Sequence, residues 1–347
     1  MTDNCKKVTY RDAGVDIDEG AKAVEFIKKR MKSFTNRNVL GAIGGFGGII
    51  DISGLDYKEP VLVSSIDGVG TKTKIAAQCA KFEGIGEDIV SHCINDIAVQ
   101  GAKPLFFMDY IGVGKLNAEL VDKVIAGILK VCAEQDCILL GGETAEMPGV
   151  YFDNEFDIVG CITGIMEKQR IITGKTISAG NVVIGLPSTG LHTNGYSLAR
   201  KVLFESGNFS VSDIPSGWSM PIGDTLLVPH ECYGKIIHEL CDNFSIHGIA
   251  HITGGGMIDN IPRILHDNLD VVIDSSSWPI LPVFELIQKT GNIDKPEMFR
   301  VFNMGIGITF FVDKNESARI LSYLKDRNYN PYIIGTLKEG SKKVIID

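Results

Sequence analysis

Three things are scarce in this 347-residue sequence: positive charge, long apolar runs and paired cysteines. Lys plus Arg number 34 against 43 Asp plus Glu, a formal charge of −9. This balance argues against a broad electropositive surface for nucleic acid, and an anionic ligand would need local cations, backbone N–H groups or a metal ion. No uncharged stretch approaches the ~18 residues of a membrane-spanning helix, and the longest, such as 301–312, have strand length. Eight cysteines (5, 79, 93, 132, 137, 161, 232 and 241) form no C-x-x-C pair. They read as reduced core thiols of a cytoplasmic protein, and zinc is disfavoured. The polar stretch 1–14 has no apolar h-region of a secretory signal, which fits the same compartment.

Familiar phosphate-binding and hydrolytic motifs are missing too. Gly174-Lys175-Thr176 ends like a P-loop, but Gln169 stands where its first glycine belongs. Gly45-Phe46-Gly47 is followed by Ile50 where a dinucleotide fingerprint needs glycine. There is no G-x-S-x-G elbow, no H-E-x-x-H helix and no protein-kinase set.

What is abundant is glycine, 39 residues or about 11% against the usual ~7%. With no collagen period, that excess marks tight turns and close backbone approaches to a ligand. Between the glycines, strand-like runs alternate with helical ones. In the first half strands are expected at 61–66, 105–111, 137–140 and 158–166. Helices are expected at 19–34, from 75, at 87–100 and after Asn117, a predicted N-cap. In the second half strands are expected near 182–186, 249–252, 269–273, 305–312 and 331–337, and helices near 196–206, 230–243, 257–266, 281–290 and 315–327. The fold class is α/β, with α+β left open, in two domains of 1–170 and 171–347.

Chemistry gathers where these elements end. Asp67-Gly68-Val-Gly-Thr71-Lys72, Asn95-Asp96 and Gly141-Gly-Glu143-Thr-Ala-Glu146 each combine small residues with an acid. Residues just past strand ends line the crevice of α/β proteins, so Asp67 and Glu143 are candidates to converge. Carboxylates without Cys or His partners suit Mg²⁺ carrying phosphate oxygens. Lys72 adds a point charge and the glycines bare N–H groups. The competing reading of each segment is turn punctuation with solvated acids; Asp109 reads as structural. His192-Thr-Asn194-Gly195 precedes a helix and suits an anionic or hydroxyl-rich ligand; alternatively Asn194 is merely a cap. His251-Ile-Thr253-Gly254-Gly255-Gly256 reads as a phosphate cradle at a helix start, with an irregular turn as the alternative. Gly41–Gly48 reads as a flap that excludes water or as a linker, and Ile43 and Phe46 in place of serines favour the flap. Histidines 92, 230, 238, 247 and 266 are expected to be ordinary core or surface residues.

Taken together these segments resemble the phosphoribosylformylglycinamidine cyclo-ligase family, also called aminoimidazole ribonucleotide synthetases. The likeness spans nearly the whole chain: Tyr10–Ile17, Gly44–Gly47, Asp67–Lys72, Asn95-Asp96 with Gln100–Ala102, Pro104–Phe107 with Asp109-Tyr110, Gly141–Gly149, His192–Leu198, His251–Gly256 and Asn260–Arg263. Thr193 stands where the family more often has serine.

The resemblance implies ATP-dependent closure of the imidazole ring of formylglycinamidine ribonucleotide in purine biosynthesis. ATP would phosphorylate the formyl amide oxygen, an amidine nitrogen would attack that carbon, and phosphate would leave with ADP as co-product. It implies two α/β domains, with the N-terminal domains of a homodimer joined in one β-barrel. Asp67, Asp96 and Glu143 would hold Mg²⁺-ATP, with Gly68, Thr71, Lys72 and Asn194 at phosphate and Gly44, Gly45, Phe46 and Gly47 covering it. Lys28, His192 and Asp96 would act at the reacting groups, and Thr253, Gly254 and Gly255 would hold a phosphate. Neither a nucleic acid nor a membrane is an expected partner. The rivals are other ATP enzymes of the same superfamily, a thiamine monophosphate kinase, a selenophosphate synthetase or the preceding amidine-forming enzyme, and a catalytically silent nucleotide-binding protein. No cysteine lies in Gly41–Gly48, which counts against selenophosphate chemistry.

Overall fold

In the computed structural model, the described residues are 9–32, 38–41 and 45–347, without the Arg11 side chain. Cys5, Gly44 and the expected end of the first helix at 33–34 lie outside them. A 3-10 turn, Arg11–Ala13, leads to α1 (Ile17–Met31), whose N-cap Asp16 accepts from the N–H groups of Asp18 and Glu19. Then come β1 (Pro60–Gly68), α2 (Lys72–Cys79), α3 (Glu83–Ala98), β2 (Lys103–Val113), α4 (Ala118–Glu134), β3 (Ile138–Glu146) and β4 (Phe156–Glu167). Asn117 caps α4 as its sequence position predicts, its Oδ1 lying 3.0 Å from Glu119 N and 3.2 Å from Leu120 N.

These strands form one sheet in the order β1-β4-β2-β3, antiparallel except for the parallel β2–β3 pair. One face is buried under α3 and α4, where Phe107, Ile111, Ile158 and Ile162 meet Ile89, Cys93, Val121 and Ile125. On the opposite face the rows Ile66–Cys161–Met108–Gly141 and Gly68–Val159–Tyr110–Glu143 run straight across the strands. That face stays open: Leu62 is 60% exposed, Ile66 68% and Met108 38%.

The second half contains β5 (Val182–Pro187), α5 (Tyr196–Arg200) continuing as a π-helical turn over Lys201–Ser206, α6 (Ile222–Leu226), α7 (Gly234–Asn243), β6 (Ile246–His251), α8 (Gly256–Asn260), β7 (Leu269–Ile273), α9 (Pro282–Gly291), α10 (Lys295–Val301), β8 (Ile306–Val312), α11 (Lys314–Lys325), β9 (Tyr332–Glu339) and β10 (Val344–Ile346). Its six-stranded sheet runs β10-β7-β9-β5-β8-β6 and is parallel only at β10–β7. β8 is buried at every position, matching its unbroken apolar run. The short elements α6, α10 and β10 have no counterpart among the expected ones. Among the described residues no helix is long and apolar enough to cross a membrane. All seven described cysteines are free thiols.

Candidate active site

Asp67 is the penultimate residue of β1 and Asp96 lies in the last turn of α3, so the sheet and its covering helix bring both acids to one edge. The second half meets them there. Thr71 Oγ1 is 3.1 Å from Ser197 Oγ, and His251, the last residue of β6, puts Nδ1 2.8 Å from Asp96 Oδ1. His92, one turn before Asp96 on α3, donates from Nε2 to Asp67 Oδ2 at 2.7 Å. Ser65 Oγ reaches Asp96 Oδ2 at 3.2 Å, and the Gly68 N–H reaches Asp67 Oδ1 at 2.7 Å. Both carboxylates remain open to the crevice, at 43% and 29% side-chain exposure.

Burial raises the Asp67 pKa, but the His92 hydrogen bond and charge outweigh it, so the carboxyl sits below its ordinary value. Asp96 is likewise raised by burial and lowered further by His251, His92 and Ser65, for a net fall. Burial depresses His92, yet the bond to Asp67 and the charges of Asp96 and Asp67 raise it overall. For His251 burial wins over Asp96 and the imidazole is held neutral; His230, wholly enclosed, is driven down further. The site thus sets two carboxylates with lowered pKa values beside an imidazole whose pKa their charges raise. His92, His251 and Asp96 also have donor atoms within 4.8 Å of one another.

His92 and His230 are buried and hydrogen-bonded, as the core reading expects, but they also stand beside the two acids. Both are buried in a triangle with His251, ring centroids 5.2–5.4 Å apart. The helical i, i+4 spacing of His92 and Asp96 is the one signal in the sequence that places an imidazole beside an acid.

Lys72 also departs from expectation. It is fully buried, with Nζ 2.8–2.9 Å from both Asp88 oxygens, 3.1 Å from His192 O and 2.9 Å from Val228 O. Its three N–H groups are taken, so the ammonium joins the two halves rather than facing a phosphate. Burial lowers its pKa and pushes Asp88 up to about 6, each opposed by the other's charge.

His192 is 1% exposed, with φ 62°, and stacks on His230 at 3.9 Å. A Cβ on Gly307 would lie 2.7 Å from its Cε1, so that glycine makes room for the ring. Its Nε2 accepts from Thr189 N at 3.1 Å, and its Nδ1 meets no partner among the described residues. Burial, with the nearby His251 and Lys72, holds it neutral, and it does not open onto the crevice as expected.

Asn194 precedes the actual cap, Gly195 (φ 77°), and its Oδ1 lies 3.1 Å from where a Gly254 Cβ would sit. Thr253, Gly254 and Gly255 are therefore beside Asn194, next to His251. Asn260 Nδ2 donates to the carbonyls of Gly254 (3.1 Å) and Gly256 (2.8 Å), fixing the glycine turn. The helix it opens, α8, is only five residues long.

Glu143 does not meet Asp67 and Asp96 within the protomer. Its strand, β3, is the far edge of the sheet from β1, three intervals or roughly 14 Å away. Registry with Tyr110, Val159 and Gly68 also puts it on the open face, opposite Asp67. Instead Glu143, Lys28, Gly45, Phe46 and Gly47 line a cavity of about 1080 Å³ between α1, the glycine run and β3. Its other walls include Ala23, Ile27, Leu139 and Leu140. Phe46 projects wholly into solvent. The expected single constellation is thus split between two edges of one sheet. Glu146 is structural: its oxygens accept from Asp16 N at 2.6 Å and Leu116 N at 2.7 Å.

Two mixed sheets joined across such a crevice define a class. Residues 48–166 match the N-terminal domain, and 178–347 the C-terminal domain, of AIR synthase related proteins. The fold aligns with thiamine-monophosphate kinase from Stenotrophomonas maltophilia K279a at a TM-score of 0.69 and 15% identity, over 94% of this chain and 96% of that one. It also aligns with hydrogenase maturation protein HypE in complex with ATP, at 0.65 and 15% identity, over 91% and 88%. In sequence it is 48% identical over 332 residues to phosphoribosylformylglycinamidine cyclo-ligase of Geobacillus thermodenitrificans (strain NG80-2), covering 96% of each chain. The chain belongs to the phosphoribosylformylglycinamidine cyclo-ligase family, ligases of purine biosynthesis.

Proposed function

We propose that this chain converts formylglycinamidine ribonucleotide and ATP into 5-aminoimidazole ribonucleotide, ADP and phosphate, with Asp67 and Asp96 holding Mg²⁺-ATP. The observation that carries this reading is the pair of ionised, crevice-facing carboxylates at the junction of the two halves in a chain of this family. The donor set fits the metal, because hard carboxylate oxygens with free lone pairs suit a dication that keeps water and phosphate oxygens. When bound, Mg²⁺ supplies neutralisation of phosphate charge. ATP use is supported by the fold shared with HypE, which has been crystallised with ATP.

The chemistry needs no covalent nucleophile from the protein. Phosphorylating the formyl amide oxygen makes it a leaving group, the amidine nitrogen closes the ring on that carbon, and phosphate departs. The chain positions the reactants, excludes water and balances charge. Lys28 and Gly45–Gly47 enclose the cavity in which we place the covering part of the site, with Glu143 at its wall. Residues 1–170 form the nucleotide-binding and dimerising half in this reading, and 171–347 the other.

A homodimer fits the open sheet face, where Leu62, Ile66, Met108 and Tyr110 form an apolar surface that a second copy would cover. Ile66→Lys should then give a monomer in light scattering; an unchanged mass would remove this face as the contact. The activity itself is tested by supplying the amidine substrate with Mg-ATP and measuring ADP and the aminoimidazole. Nucleotide binding without turnover favours the silent rival, and turnover only with thiamine monophosphate favours the kinase.

A further inference from the structure

Four side chains beyond the two crevice acids form one continuous hydrogen-bonded belt. His92 donates from Nε2 to Asp67, and its Nδ1 lies 2.7 Å from Thr193 Oγ1. Thr193 Oγ1 lies 3.4 Å from His230 Nδ1. His230 Nε2 lies 3.1 Å from His251 Nε2, and His251 Nδ1 donates to Asp96 Oδ1 at 2.8 Å. A carboxylate only accepts, so the two imidazole nitrogens that face the acids must carry N–H groups. Asn95 Nδ2, 3.3 Å from His230 Nε2, has its own acceptor in Glu231 O at 2.8 Å. The belt starts on β1 and α3, crosses to the second half at Thr193, His230 and His251, and returns to α3.

We infer that His92 and His251 are positioning residues for the nucleotide-bound metal, each fixing the direction of one carboxylate, with Thr193 and His230 locking the two imidazoles together across the domain junction. This rests on the reading of Asp67 and Asp96 as metal-nucleotide ligands. An outer-layer partner decides where a carboxylate's lone pairs point, and losing it typically weakens metal binding about 10–100-fold. The belt ties metal affinity in the first half to side chains of the second, so the ligand pair is complete only when the halves are docked.

The two histidines use different ring nitrogens, which yields a discriminating test. Asparagine places its amide nitrogen near a histidine Nδ1, and glutamine near an Nε2. His251→Asn and His92→Gln therefore keep the N–H that faces the acid, whereas His251→Gln and His92→Asn lose it at nearly the same size. The measurement is the Mg²⁺ dependence of binding of the non-hydrolysable analogue adenylyl-imidodiphosphate to the full chain, alongside KM for Mg²⁺, kcat and metal-free melting temperature. His251→Asn and His92→Gln should stay within about threefold of the parent in Mg²⁺ affinity, and the other two should fall about tenfold or more. KM for Mg²⁺ should rise more than kcat falls, and all four should melt alike without metal. Equal losses in all four variants, or a fall in kcat with no Mg²⁺ shift, would overturn the inference. If instead Asp96→Asn leaves Mg²⁺-dependent binding untouched, the underlying assignment of the carboxylates fails.

Discussion

Lys72 Nζ lies 2.8 Å from Asp88 Oδ2 with neither side chain exposed to solvent, and it also bonds His192 O and Val228 O from the other half of the chain. The pair is a buried rivet between domains. Removing one partner strands an uncompensated charge, which typically costs about 3–5 kcal/mol. Lys72→Met should therefore lower the unfolding free energy by about that much in urea titration, and Lys72→Met with Asp88→Leu should recover a large part of it. A single variant within about 1 kcal/mol of the parent would show that the ion pair does not tie the halves.

Asp96→Asn keeps the shape of the residue and removes the charge that accepts from His251 and Ser65. If Asp96 holds Mg²⁺-ATP, turnover should fall by two or more orders of magnitude, roughly 3 kcal/mol of transition-state stabilisation, while the fold melts normally. Glu143→Gln, at the wall of the cavity on the other edge of the sheet, tests that cavity rather than the metal, and should lower turnover without unfolding. A near-parental rate in Asp96→Asn would take that acid out of the metal site, and one in Glu143→Gln would take the cavity out of the reaction.

Much of this was legible in the sequence, for identifiable reasons. Asn117 is followed by an i, i+3, i+4, i+7 apolar face, and α4 begins there. The unbroken apolar run near 305–312 became the fully buried β8. Asp67 and Asp96 were visible because an acid at an element end beside small residues has few packing roles. Lys72 misled because a lysine after glycines looks solvent-facing, and nothing local shows that Asp88 lies one helix away to enclose it. Glu143 misled similarly: strand order, which sets β1 and β3 at opposite edges, is a long-range property absent from local patterns. The histidine triangle draws on three distant segments, so only the His92–Asp96 spacing hinted at it.

Asp109 supplies a prediction about pH. Its carboxyl is 9% exposed on β2, accepts nothing from another described residue's side chain, and lies where a Gly142 Cβ would come within 2.4 Å of Oδ1. Desolvation pushes its pKa up to about 7. Between the unfolded value near 3.9 and that folded value, the unfolded chain has released a proton that the native chain keeps. Stability from this group is thus complete below about pH 4 and is lost as pH rises towards 7, by at most about 4 kcal/mol. Asp109→Asn should flatten the slope, leaving the variant relatively more stable than the parent at pH 8 than at pH 5. Parallel denaturation midpoints at the two pH values would show that Asp109 titrates normally.

Gly86 on α3 and Gly127 on α4 let those helices touch backbone to backbone. A Cβ on Gly86 would lie 2.0 Å from Val124 O, and one on Gly127 1.9 Å from Glu83 O. Neither obstacle is a flexible side chain, so the helices must separate to admit even a methyl group. That separation loosens the layer under which Ile89, Cys93, Val121 and Ile125 are buried. It also moves α3, which carries His92 and Asp96. Alanine ordinarily stabilises a helix over glycine by about 1 kcal/mol, which makes the sign of the effect diagnostic. Gly127→Ala should destabilise the protein by about 1–3 kcal/mol despite its better propensity, the usual range for overpacking. Through α3 it should also weaken Mg²⁺-dependent nucleotide binding. A variant that melts higher than the parent would mean that the two helices part without cost, and that α3 is not held in place by this contact.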